Sequence, residues 1–187
     1  MNFAGKIVII TGASSGIGAR TAQKFSRLGA NLCLTGRKLE NLEKVASECE
    51  SKSTFIVPGD ITNPDDTKKI VEAAIKKYGK IDILVNNAGI IETGTIENTS
   101  LEQYDRVMNT NIKAIYHLTM LAVPHLIKTE GNIVNVSSVN GIRSFPGVLA
   151  YNLSKAAVDQ FTRCVALELA PKNVRVNSVN PGLLTLS

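Results

Sequence analysis

Six short apolar runs recur along the chain with longer segments between them, and this alternation limits the fold more than any other feature. They are "KIVIIT" (6–11), "NLCLTG" (31–36), "STFIVP" (53–58), "IDILVN" (81–86), "NIVNVS" (132–137) and "VRVNSV" (174–179). Each is short, apolar and β-branched, as parallel strands buried on both faces should be. Between them, helical periodicity covers segments near 16–29, 38–50, 64–78, 101–127 and 151–170. Thr62 or Asn63 can cap the third helix, with Pro64 in its first turn. Pro171 stops the last helix, and Pro124 is expected to bend or frame the final turn of 101–127. Strict strand–helix alternation predicts an α/β protein: a doubly wound parallel sheet with helices on both faces.

The 187 residues suit a single domain, without an internal repeat, linker or low-complexity stretch. A content of 44% hydrophobic and 20% charged residues is that of a soluble globular chain. No apolar run approaches the length of a membrane span, and "MNFAGKIVIITG" has no secretory pattern, so no membrane partner is expected. Cys33, Cys49 and Cys164 are odd in number and lack metal-ligand spacing, which fits a reducing cytoplasm and structural roles. No metal site is expected, and His117 and His125 read as structural. The net charge of +5 is spread along the chain without interleaved aromatics, which does not favour nucleic acid.

The first strand runs directly into "TGASSGIG". Gly12, Gly16 and Gly18 fall where a strand turns into a helix. Such a turn needs unusual backbone angles, close approach to a diphosphate and tight helix–strand packing. The helix N-terminus then offers free N–H groups to phosphate. The spacing Gly-x-x-x-Gly-x-Gly departs from the commoner Gly-x-Gly-x-x-Gly, and three glycines can also make a purely structural turn. The second strand ends at "LTGRK", with Arg37 where an NAD-selective site carries an acid. An arginine can pair with a 2′-phosphate, which points to NADP(H) in preference to NAD(H); a surface arginine opening a helix is the alternative.

In "AYNLSKAAVDQF", Tyr151 and Lys155 stand one helical turn apart and share a face. A nearby ammonium favours the phenolate, so the pair suits proton transfer, although Tyr-x-x-x-Lys also occurs in ordinary amphipathic helices.

Together, "TGASSGIG" (11–18), "NNAG" (86–89), "NTN" (109–111), "NVSS" (135–138), "YNLSK" (151–155) and "NPG" (180–182) occur in the order found in the short-chain dehydrogenase/reductases. The chain resembles that family over essentially its whole length, most of all the NADP-preferring carbonyl reductases similar to 3-oxoacyl-carrier-protein reductases and hydroxysteroid dehydrogenases. The resemblance implies a Rossmann-type sheet and hydride transfer between a nicotinamide and a carbonyl or secondary alcohol. It implies that Tyr151 is the general acid/base and that Lys155 holds the nicotinamide ribose and tunes the tyrosine. Ser138, thirteen residues before Tyr151, would hydrogen-bond the substrate oxygen in preference to its neighbour Ser137. Asn111 would anchor a water in the proton relay, with Asn109 the alternative register. The cofactor would be held by Gly12, Ser14, Ser15, Gly16, Ile17 and Gly18, by Arg37, Asp60 and Ile61, by Asn87, Ala88 and Gly89, and by Pro181 and Gly182, together with Tyr151 and Lys155. Asp60 can alternatively be a turn residue before "TNP", Ser138 a strand-end cap, and Asn111 a packing residue.

Compared with that family the chain stops early. The resemblance therefore implies six strands, the usual seventh and the C-terminal substrate lid being absent. Thr185 lies one residue short of the place of a threonine that meets the nicotinamide carboxamide. A second reading follows: a short form that binds cofactor or partner with little catalytic activity. A Rossmann-like methyltransferase, which the glycine turn alone would serve, is disfavoured by Ser138, Tyr151, Lys155 and Arg37. The family also implies a homodimer or homotetramer through helices 101–127 and 151–170.

Overall fold

The computed structural model describes residues 2–50 and 53–182. Six parallel strands form one sheet in the order β3-β2-β1-β4-β5-β6. They are β1 (Ile7–Thr11), β2 (Asn31–Gly36), β3 (Thr54–Pro58), β4 (Ile83–Asn86), β5 (Asn132–Val136) and β6 (Arg175–Val179). The helices are α1 (Gly16–Arg27), α2 (Leu39–Ser47), α3 (Pro64–Tyr78), α4 (Leu101–Met108), α5 (Ala114–Lys128) and α6 (Leu149–Leu169). This is the doubly wound Rossmann-type α/β fold that the alternation predicts. Thr185 and the rest of 183–187 lie outside the described residues.

Because successive strand side chains point to opposite faces, one strand feeds two cores. Ile9 of β1, Leu84 of β4 and Ile133 of β5 pack with Ile70 of α3 and Leu118 and Leu126 of α5. Val8 and Ile10 of β1 face the other way, onto Ala19 and Ala22 of α1 and Leu42 of α2. Cys33 lies in the first core, and burial pushes its thiol up to about 12, as befits a structural cysteine. β6 forms a sheet edge, with Arg175, Asn177 and Val179 exposed and Val176 buried.

The helix ends follow local chemistry. Asn63 caps α3 by accepting from Asp65 N at 2.9 Å, Pro64 occupies its first turn, and Gly79 ends it in a left-handed conformation (φ 78°). The segment 101–127 is not one regular α-helix. Residues Asn109–Lys113 form a π-helical turn between α4 and α5. Periodicity does not reveal an extra residue of this kind, since it shifts the face without removing the apolar pattern.

At the N-terminal edge of the sheet, Asp82 ties β1 to β4. Its Oδ2 accepts from Ile7 N at 2.9 Å, and Lys80 and Lys6 approach it at 2.9 and 3.2 Å. Burial acts to raise the carboxyl, but the Ile7 amide and the two ammonium groups outweigh it and hold it below its ordinary value. A depressed carboxyl contributes stability above its unfolded value of 3.8 that is lost as the pH falls through the folded value. Asp82→Asn should therefore lower stability at neutral pH by about 1–3 kcal/mol in urea unfolding. The wild-type advantage should shrink on acidification; a constant difference would show that the charge is not responsible.

Candidate active site

A parallel sheet brings the C-terminal ends of all its strands to one edge. The crevice opens where the chain leaves β1 for β2 on one side and β4 lies on the other. There the turn after β1 takes positive φ at Gly12 (60°) and Gly16 (56°). A Cβ on Gly12 would lie 2.9 Å from Ala88 Cα and from Asn87 Nδ2. Gly18 is buried in α1, and a Cβ there would collide with Gly12 O and Asn87 Nδ2. Gly18 thus acts in packing the helix under the turn. Ile17 packs its side chain with the core that holds Phe3 and Phe25, leaving its backbone to face the turn.

Thr11 and Asn87 brace this junction. Thr11 Oγ1 accepts from Asn87 N and Ala88 N, both at 2.9 Å. Asn87 Nδ2 donates to Thr11 O at 2.9 Å and to Gly12 O at 3.2 Å. Sequence reasoning gave Thr11 no role, since a threonine ending a strand carries no signal of its partners.

A cleft of about 850 Å³ opens above the junction. Of the sequence-predicted cofactor residues, Gly12, Ser14, Ser15, Arg37, Asp60, Ile61, Asn87, Ala88 and Gly89 line it; Gly16, Ile17, Gly18, Tyr151, Lys155, Pro181 and Gly182 do not. Arg37 is exposed at its wall, immediately after Gly36. Asp60 is partly committed to its own turn, Oδ1 accepting from Thr62 N at 2.9 Å and Thr62 Oγ1 at 2.8 Å. Arg106, Lys113 and His117 also line the cleft, which sequence reasoning missed, having taken His117 as structural. Their place over the cleft depends on how α4 and α5 dock.

These residues fit a dinucleotide. Ser15 stands at the α1 N-terminus without a side-chain cap hydrogen bond, and the first turn has no acid, which leaves the first amides to an anion. Gly12, Gly36 and Gly89 contribute backbone to the lining of the cleft.

The second half of the site sits on β5, α6 and the π turn. Lys155 is 4% exposed, its Nζ donating to Val136 O at 2.8 Å and lying 5.5 Å from the Tyr151 ring centroid. Burial pushes this lysine down to about 8, against the opposing charge of Asp159. Ser137 Oγ donates to Lys155 O at 3.2 Å. A Cβ on Gly89 would come within 3.6 Å of Lys155 Nζ and 3.2 Å of Asn111 Oδ1, so both side chains lie close behind this part of the cleft wall.

Asn111 is fully buried, and its carboxamide is engaged on both sides. Oδ1 accepts from Ile90 N at 2.8 Å; Nδ2 donates to Ile90 O at 2.8 Å and Ser154 Oγ at 3.0 Å. The side chain braces the loop after β4. Ser154, unremarked in the sequence, passes the contact on by donating to Tyr151 O at 2.8 Å. Ser138 Oγ caps the short 3-10 turn Val139–Gly141, accepting from Asn140 N at 3.2 Å and donating to Asn140 Oδ1 at 3.1 Å. Pro181 meets this turn, its carbonyl accepting from Val139 N at 3.0 Å.

Residues 6–186 match the family described as short chain dehydrogenase. The chain is 42% identical over 187 residues to a 3-oxoacyl-(acyl-carrier-protein) reductase of Thermotoga maritima, covering 98% of this chain and 76% of that protein. L-Sorbose reductase from Gluconobacter frateurii, solved with NADPH and L-sorbose, superposes with a TM-score of 0.95 at 32% identity, over 99% of this chain and 72% of that one. A 3-ketoacyl-(acyl-carrier-protein) reductase from Brucella melitensis, solved with NADH, gives 0.92 at 36% identity, over 96% and 75%. Of other curated relatives the chain spans as little as 60% of the length.

Lys155 yields a signed test. With a folded value of about 8 against an ordinary 10.5, the unfolded chain holds the extra proton between those limits. Its contribution to stability must therefore rise with pH across that window. In urea unfolding, wild type should gain on Lys155→Met as the pH is raised from 8 to 10.5. A flat difference would mean that the ammonium is not buried.

Proposed function

The chain belongs to the short-chain dehydrogenase/reductase family, and from that premise we propose that it is an NADP(H)-dependent oxidoreductase acting on a carbonyl or secondary alcohol. The observation that carries the reading is Lys155, buried beside the Tyr151 ring and close behind Gly89 of the cleft wall. Burying an ammonium costs stability and suits a functional site better than a structural one.

The bound nicotinamide supplies or accepts the hydride. Gly12, Ser14, Ser15 and the α1 amides would hold the diphosphate; Asp60, Ile61 and Asn87–Gly89 would flank the adenosine; Arg37 would pair with the 2′-phosphate. In reduction, Tyr151 would deliver a proton to the carbonyl oxygen. Ser138 would donate its hydroxyl hydrogen to that same oxygen. Lys155 would hold the nicotinamide ribose and stabilise negative charge on Tyr151. Asn111 keeps the loop after β4 and, through Ser154, the backbone of Tyr151 in place. Pro181 and Gly182 support the Ser138 turn.

A homo-oligomer through α4, α5 and α6 is part of this reading. Tyr104, Tyr116, Met120, Leu153 and Leu167 are exposed apolar residues on those helices. Among the described residues no helix is long and apolar enough to cross a membrane, and Cys33, Cys49 and Cys164 are free thiols, which supports a reducing cytoplasm.

Two measurements test the reading. Tyr151→Phe should lower turnover of a reactive diketone by about 10²–10⁴-fold while NADPH affinity in calorimetry stays within a few-fold. Equal losses in both would remove Tyr151 from the proton step, and wild-type binding without turnover would leave a cofactor-binding protein. Arg37→Asp should weaken NADPH by about tenfold or more and spare NADH. Equal weakening of the two cofactors would remove Arg37 as the phosphate reader.

A further inference from the structure

Tyr151 and Lys155 stand on α6 and Ser138 on the turn after β5, and the segment after β6 packs against that turn. These pieces meet at one buried carboxylate that plays no part in the chemistry proposed above. Asp159 lies one turn beyond Lys155 on α6 and is 7% exposed. Asn180 Nδ2 donates to both of its oxygens, at 3.1 and 3.0 Å. The same amide nitrogen donates to Ser138 O at 2.9 Å. Gly141, which ends the Ser138 turn, packs so closely on Asp159 Oδ2 and Lys155 O that no Cβ fits.

We propose that Asp159 is a positioning residue: its carboxylate orients Asn180, and Asn180 fixes the Ser138 main chain and the Pro181 segment against the helix that carries Tyr151 and Lys155. This rests on the oxidoreductase reading for its effect on turnover, but not for its effect on structure. The Asn180 amide nitrogen has two N–H donors; one is directed to Ser138 O, and the Asp159 carboxylate takes the other, while Oδ1 accepts only a long bond from Ser178 Oγ at 3.4 Å. A buried carboxylate costs free energy unless it is hydrogen-bonded, so the pair specifies one arrangement. Ser138 Oγ depends on that arrangement because its own backbone carbonyl is the third member of the clamp. The charge of Asp159 also works against the effect of burial on Lys155.

The test uses the full chain, with Asp159→Asn and Asp159→Leu. Asparagine keeps one acceptor oxygen for Asn180; leucine keeps none. Hydrogen exchange of a peptide spanning residues 138–142 is compared with one from β1, alongside NADPH affinity and the kcat and KM for 2,3-butanedione. Asp159→Leu should speed exchange at 138–142 by about tenfold, leave β1 unchanged and lower kcat by about tenfold, with NADPH affinity within twofold. Asp159→Asn should fall between it and wild type. Uniform acceleration of exchange at both peptides, or unchanged exchange at 138–142, would overturn the proposal. So would measurable turnover that is the same in all three proteins. If wild type turns over no carbonyl but exchange responds locally as expected, the clamp stands and the oxidoreductase reading fails.

Discussion

Parallel pairing of β1 with both β2 and β4 is the constraint on which the rest of the structure depends. It sends every strand's C-terminal end to one edge, and it opens a crevice there because the chain departs from β1 in two directions. The glycine turn, Arg37, Asp60, the Asn87–Gly89 stretch and Ser138 all follow strand ends, so they assemble at one edge although they are far apart in sequence. The junction is then held by hydrogen bonds that a side chain makes to backbone. Thr11 Oγ1 takes two amides of the loop after β4, and Asn87 Nδ2 returns two bonds to the turn after β1. At the opposite edge Asp82 does similar work with charge, joining Ile7 N, Lys6 and Lys80.

Beneath the site, buried polar side chains link the sheet to its helices. Asn86 Nδ2 donates to Thr119 Oγ1 and Asn135 Oδ1, and Asn135 Nδ2 donates to Thr162 Oγ1. One chain of contacts thus passes from α5 through β4 and β5 to α6. In the low-dielectric interior each such group is costly if unpaired, so the network permits few relative placements of these elements. Rigidity of this kind suits a site whose reacting groups come from different strands and helices. Asn111 adds a further brace, its carboxamide bonding both backbone groups of Ile90 much as a neighbouring strand would.

Much of this was legible without coordinates, and the misses have physical causes. β1, β2 and β4 were readable because a strand buried on both faces is apolar throughout; β6, expected to be of the same kind, lies at the sheet edge with Arg175, Asn177 and Val179 exposed. The α3 cap was readable because Asn63-Pro64 acts locally. The π turn was not, since the apolar pattern runs on through it. Gly18 packs α1 under the turn, as the end of the glycine motif implies, and Ile17 is partly buried against the neighbouring core. The lining of the cleft by Arg106, Lys113 and His117 depends on helix docking that no local pattern encodes.

The sequence by itself determined the alternation, the parallel sheet, the place of the glycine turn and the one-turn spacing of Tyr151 and Lys155. These follow from short-range periodicity and local backbone chemistry. Only the tertiary structure decided that Lys155 is buried on Val136 O and that Asn180 joins Asp159 to the Ser138 carbonyl. Those contacts join residues about 20 to 40 positions apart, and hydrogen-bond partners across such separations are chosen by packing rather than by neighbours in the chain.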